Sequence, residues 1–320
     1  NESFVNKYIN SRLTYPVKPR GDITVTTDIS GNAYNLRLRP KIKLAQNADI
    51  YYMGANLGDE NEEREISADI NITDNNVYHI KKLDYIRYMI SQNDRSYPLP
   101  VLHLNGIVQA GKKNIFIRNM NVETLNNANV KIFNVIFKKS VLKNGMFNCK
   151  LNIKGNINSP VILGALSMEN LDMPLYNTVI KNASLKFKEK TIDLAAAGEI
   201  LNSDFNLNSV IENRFKPPII IDKLDIKSKK LNIDSLIDSL TLIPTPNSTL
   251  RLVGAPDNNA KLPLNISDFR IKKGSMTADD IAIRNLNANN YESSFQLGND
   301  MILKIDKLGF DVTTGEMSGS

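Results

Sequence analysis

Apolar and polar residues alternate along most of this chain with a period of two, which sends successive side chains to opposite faces of a pleated strand. The clearest stretch is Phe147 to Ile157, where Phe147, Cys149, Leu151, Ile153 and Ile157 alternate with Asn148, Lys150, Asn152, Lys154 and Asn156. The pattern recurs at Ile23, Val25, Thr27 and Ile29, at Ile66, Ala68, Ile70 and Ile72, and at Ala183, Leu185 and Phe187. It returns at Ile281 with Ile283 and at Leu303 with Ile305. Short alternating strands separated by Asn and Gly turns predict an antiparallel meander and not a βαβ repeat. The fold class is therefore all-β, an antiparallel β-sheet with one apolar face. That face must either close on itself as a core or stand open as a groove for a ligand.

Two segments depart from the alternation. Ile80, Leu83, Ile86 and Ile90 recur at steps of three and four behind Asp74, which predicts a helix over Val77 to Gln92, closed by Pro98 and Pro100. A second short helix is predicted over Ile233 to Leu240, with Asp234 as cap and Leu236, Ile237 and Leu240 on one face. The acidic run from Gly54 to Glu65, GANLGDENEERE, reads as a solvated loop, because its carboxylates lack the spacing of a hard-ion site. These features divide the chain into residues 1–100, with strands, loop and helix; 101–216, a β-meander; and 217–320, a β region with a short helix. Pro217 and Pro218 mark the second boundary.

A hydrophobic content of 42% excludes a disordered chain. No stretch approaches the roughly 20 apolar residues of a membrane helix, and the first residues do not read as a signal peptide. Neither end reads as a native terminus, so the expectation is a piece of a longer protein. The single Cys149 cannot form an internal disulfide, and its place on an apolar strand face makes it a small core or groove residue, not a reactive thiol. The net charge of +6 is spread singly over polar faces and Trp is absent, which argues against a nucleic-acid partner. Weak attraction to anionic lipid headgroups fits such a charge.

Catalytic and metal-binding signals are missing. His79 and His103 lie in different contexts, and with one cysteine they make no zinc site. No GxSxG, GxGxxG or GxxxxGK[ST] motif occurs. Asp279 and Asp280 are adjacent on a strand and should point to opposite faces, which weakens them as an acid and base pair. Sequons at Asn71, Asn182, Asn247 and Asn265 are what an Asn-rich chain produces by chance. The expectation is no enzyme, no metal and no cofactor. A carbohydrate-active cleft is disfavoured by the scattered aromatics.

The segment Leu151 to Ile211 resembles a TamB-type repeat through Gly155, Pro160, Gly164 and Pro174, followed by strands around Leu185 to Phe187, Ile192 to Ala196 and Phe205 to Val210. Downstream, SKKLNIDSLIDSL is similar to the strand and leucine-rich helix of AsmA-like proteins, and the closing stretch from Ile271 to Ser320 is similar to the end of an AsmA C-terminal region. Gly315 and Glu316 depart from the paired glycines usual there. The two resemblances agree, since both families belong to one superfamily. They imply a periplasmic segment of a protein tethered to the bacterial inner membrane by a helix outside this chain. They further imply a long curled sheet whose apolar groove carries phospholipid between membranes or assists outer-membrane assembly.

Groove candidates on the apolar side are Phe147, Cys149, Leu151, Ile153, Leu185, Phe187, Ile281, Ile283, Leu303 and Ile305. Each would serve equally in a closed core. A second reading is a structural or chaperone-like module whose strand edges pair with β-rich partners.

Overall fold

The computed structural model describes residues 18–32, 34–52, 55–56, 62–73, 76–90, 96–111, 114–134, 141–174, 177–200, 203–214, 218–232, 240–241, 251–252, 268–283, 286–300 and 302–312. Among them the structure is all-β, and sixteen strands belong to one open mixed sheet. The chain divides into two compact units at Leu166/Ser167.

In the first unit, β1 (Lys18–Arg20), β4 (Asp49–Tyr52) and β5 (Ala55–Asn56) form a small separate sheet. The main ladder runs through β2 (Ile23–Asn32), β3 (Asn35–Leu44), β6 (Glu63–Thr73), β7 (Val77–Ile90), β8 (Ser96–Ala110), β9 (Ile115–Thr124) and β11 (Asn144–Asn156). Two-residue β10 (Ala128–Asn129) pairs with β11 and leads into a 3-10 turn, Val130–Phe133. Directly opposed residues share a face. Across β6, β7, β8, β9 and β11 this aligns Ala68, Leu83, Leu104, Val122 and Leu151 in one apolar row. The unit boundary falls within β12 (Ser159–Met173). Gly164 of that strand sits at φ +118°, and a Cβ there would lie 2.0 Å from the Lys150 carbonyl oxygen. Close backbone approach therefore requires glycine at this position.

The second unit continues with β13 (Thr178–Phe187), β14 (Thr191–Ile200), β15 (Ser203–Glu212), β16 (Ile219–Asn232), β19 (Phe269–Ile283), β20 (Leu286–Leu297) and β21 (Leu303–Val312). β17 (Leu240–Thr241) and β18 (Arg251–Leu252) pair only with each other. Here one register line carries Phe187, Ile192, Ile211, Ile221, Ile271, Leu297 and Leu303 across seven strands. Such a line is the unit of sheet stabilisation, each apolar pair adding a few tenths of a kcal/mol to about 1 kcal/mol.

Three expectations change. The segment Val77 to Gln92 is not a helix, since Val77–Ile90 is strand β7. Its Tyr, Ile and Val content favours a pleated surface. The three-residue step from Ile80 to Leu83 comes from irregular pairing, a register shift that adds a residue to β7, while a second shift between Tyr85 and Ile86 adds its extra residue to β8. A bulge adds one residue to one strand and so turns a two-residue step into three. Pro98 and Pro100 accordingly lie inside β8, beside the second shift, where a missing N–H is tolerated. Second, the sheet is mixed and not antiparallel throughout. β16 and β19 run parallel, joined by the long connection such a pair needs. Third, the acidic run is not all loop, because it includes β5 and the start of β6 at Glu63. The short helix predicted at Ile233 to Leu240 falls at residues 233–239 outside the described residues, and Leu240 itself belongs to β17.

Candidate functional site

The apolar face of the first unit holds a cavity of about 250 Å³. Its sheet side is made by Leu44, Ile66, Leu83, Tyr85 and Leu102 from the ends of β3, β6, β7 and β8. Ile50 of β4 borders it, and Ala128, Asn129, Lys131 and Ile132 face it from β10 and the 3-10 turn. Phe147 of β11 completes the lining. The covering segment is held by Asn134, a buried side chain whose Oδ1 accepts from Val141 N (3.0 Å) and Leu142 N (2.8 Å) and whose Nδ2 donates to the Leu142 carbonyl (2.9 Å). Val130, Val141 and Leu142 are buried around it, and the Phe133 ring tilts against Phe147 with centroids 4.9 Å apart.

Charge enters this apolar site from β6 and β7. Glu62, Arg64 and Ile66 share one strand face by their two-residue spacing, and Arg64 lies directly opposite Arg87. Arg87 is clasped by the Glu62 carboxylate through Nε and Nη2. Arg64 is 3% exposed, donates from Nη2 to the Ala48 carbonyl, and leaves Nε buried without a partner. On the other face of the same strand Glu65 is also buried. Burial alone would raise its carboxyl, but hydrogen bonds from Lys41 (2.9 Å) and the Tyr88 hydroxyl (2.8 Å) outweigh it and hold the group below the ordinary range. Donating to Glu65 pushes the Tyr88 phenol up to about 12.

The opposite face of the first unit is a polar ladder. Asn152 Nδ2 donates to Asn121 Oδ1 (2.8 Å), and Asn121 Nδ2 donates to Asn105 Oδ1 (3.0 Å). Asn105 Nδ2 contacts His103 Nε2 (3.1 Å), and His103 Nδ1 contacts Asp84 Oδ1 (2.6 Å). With the His103 proton assigned to Nδ1, every donor in the line points toward the Asp84 carboxylate. Burial works to raise Asp84, yet the hydrogen bonds from His103 and Lys82 prevail and lower it. His103 is thus part of a structural ladder. His79, on β7, borders a separate and more open hollow with Asn71 and Asn105, whose lining mixes these polar groups with Ile80 and Ile107.

The sequence-derived candidates divide between the units. On β11, Phe147 (5% exposed) lines the cavity, and Cys149 is buried two residues on, its thiol pushed up by burial. Leu151 and Ile153 are half-buried farther along the same strand. In the second unit Leu185 and Phe187 are half-buried on β13, while Leu303 and Ile305 on β21 are 56% and 57% exposed. Ile281 packs with Leu231 and Ala278 in a small core. Ile283 belongs to β19, paired with Leu286. Of the ten, only Phe147 borders the cavity. Three residues of its sheet side, Leu83, Tyr85 and Leu102, were hidden in the misread helix and the proline-bearing strand. Arg64 lay in a stretch read as loop.

Asp279 and Asp280 are both exposed, because the strand phase slips there. On the neighbouring β16, Lys229 N and Lys230 N both donate to Asp204 Oδ1, at 3.0 and 2.8 Å, which a regular pleat does not permit. Burial consequently moves from Ser228 to Leu231 and, in register, from Ala278 to Ile281. Among the described residues no cluster of His, Cys, Asp and Glu could hold a metal ion, and no helix is long and apolar enough to cross a membrane. No protein-family model, curated protein or solved structure matches the chain.

Proposed function

We propose that this chain is the periplasmic part of an AsmA/TamB-like envelope protein and binds phospholipid acyl chains on its apolar sheet face, moving lipid between inner and outer membranes. The observation that carries the reading is the apolar cavity between the β3–β8 face and the Ala128–Ile132 segment. Ligand sites are concave and mostly apolar with a few placed polar groups, which is the character of this one. A chain of methylenes gains about 0.8 kcal/mol for each one removed from water, and no catalytic group is needed to hold it. The glycine and proline positions of the TamB-type pattern, Gly155, Pro160, Gly164 and Pro174, support the family assignment. The test is native mass spectrometry with organic extraction on protein purified from a bacterial host. Lipid should co-purify with the wild type and be lost from Ala128→Leu, which fills the cavity without adding charge. A lipid-free wild type that is fully folded would sink the reading.

A second reading is favoured by the terminal strands of the sheet order. Val25 and Ile29 on β2 and Leu303, Ile305, Leu308 and Phe310 on β21 are exposed. Exposed apolar edge strands are templates for pairing, so a structural or chaperone-like module for outer-membrane assembly would act through them. Proline substitution at Ile305 would abolish that activity and leave cavity binding untouched.

A further inference from the structure

Arg64 is the feature that acyl-chain binding alone leaves unexplained. Among the described residues no carboxylate pairs with it, since the nearby Glu62 engages Arg87 and the one hydrogen bond of Arg64 goes to a backbone carbonyl. A buried cation without a counter-charge is costly, so a protein that needed only an apolar wall would place an aliphatic residue here. The guanidinium borders the cavity, and its Nε is unsatisfied. A carboxylate is the planar acceptor that fits a guanidinium edge with two parallel hydrogen bonds. The cavity volume, about 250 Å³, lies below the usual 300–1,000 Å³ of ligand sites and gives room for one acyl chain.

We infer that the cavity is a site for a single-chain amphiphile with a carboxylate head, the head paired with Arg64 and the chain laid against Ile66, Leu83, Tyr85, Leu102 and Phe147. The inference rests on the acyl-chain reading of the cavity and narrows its occupant there from a phospholipid to a single-chain carboxylate selected by Arg64. Three cationic side chains, Arg64, Arg87 and Lys131, line the cavity, and Glu62 engages Arg87.

The test is calorimetric titration of the full chain with decanoate and with decanol, both below their micelle concentrations. Decanoate should bind wild-type protein at least about ten-fold more tightly than decanol, the worth of one charged hydrogen bond. Arg64→Met should erase that preference by bringing decanoate down to the affinity of decanol, and should raise the melting temperature of the ligand-free protein by removing an unpaired buried charge. Arg64→Lys, which keeps the charge but loses the planar fork, should fall between the two. Equal affinity of the wild type for the two ligands overturns the assignment of a carboxylate and leaves the acyl-chain reading standing. Binding of neither ligand overturns both. An Arg64→Met protein that melts earlier, in a wild type without the decanoate preference, makes Arg64 a structural clamp on Ala48. Because the wild-type preference is read without any variant, misfolding of a mutant cannot hide the answer.

Discussion

The two units use the same alternation of apolar and polar residues and finish their apolar faces differently. In the first, a short covering segment folds onto the face, so Val130, Val141, Leu142 and Phe147 are buried and a cavity is enclosed between segment and sheet. In the second, the register line runs through buried Ile192 and Leu297 but loses its cover at the terminal strand, where Leu303 is more than half exposed. Its buried cluster is small, Leu231, Ala278 and Ile281, formed where the pleat slips. Alternation therefore determines which face is apolar and leaves open what covers it. Covering depends on local clamps such as Asn134, whose side chain satisfies two N–H groups and a carbonyl at once.

The contrast predicts its largest effect for a buried charge. Val130→Asp should cost several kcal/mol and unfold the first unit, whereas Ile305→Asp in the second should change stability by less than about 0.5 kcal/mol, both read by urea denaturation. Comparable losses at the two positions would erase the distinction between a covered and an uncovered face. Next comes Asn134→Ala, expected to cost about 2 kcal/mol by orphaning buried backbone groups, with hydrogen exchange accelerating in residues 128–142 first. In the second unit Gly274→Ala should cost about 1–3 kcal/mol, because the added Cβ would lie 2.4 Å from the Phe295 ring. Trimming that ring in the double variant with Phe295→Leu should recover most of the loss, and additivity would show the two sites to be independent.

The smallest effect is on pH dependence. Asp84 and Asp204 both have lowered folded-state pKa values, Asp204 because backbone N–H groups of Lys229 and Lys230 and the Ser228 hydroxyl outweigh the rise from burial. A depressed carboxyl binds fewer protons folded than unfolded. Its stabilisation is thus full above the unfolded value of about 3.9 and is lost as pH falls through the folded value. Acid titration should weaken both units in that acidic window, and Asp84→Asn should flatten the response of the first unit alone. A pH response unchanged by Asp84→Asn would mean that the His103 ladder contributes nothing measurable.

Much of the fold was legible from spacing. Phe147 and Cys149 are buried and Asn148 and Lys150 exposed, as period two requires, and the strands around Ala183 to Phe187 and Leu303 to Ile305 stand where the pattern places them. Bulges defeat that reasoning. They disguise β7 as a helix, and a slip of the pleat without any change of register exposes Asp279 and Asp280, two neighbours that a regular strand would divide between faces. The parallel pairing of β16 and β19 has no signature in either strand, since it is chosen by the long connection between them. Of the groove candidates only Phe147 lies at the site, and Ile66 was legible as an apolar strand position without being picked for it. The rest of its wall comes from segments brought together by register, and Arg64 is a charged residue in an acidic run whose inward direction follows from β6 pairing.

The most direct test of the account is photo-crosslinking of the wild-type chain with a diazirine-bearing fatty acid, followed by peptide mass mapping. Adducts on the β7 and β8 peptides carrying Leu83, Tyr85 and Leu102, and on the peptide carrying Phe147, competed away by decanoate, are the predicted result. Adducts confined to the exposed strand β21, or labelling that decanoate does not displace, would contradict the claim that the covered face of the first unit is the binding site.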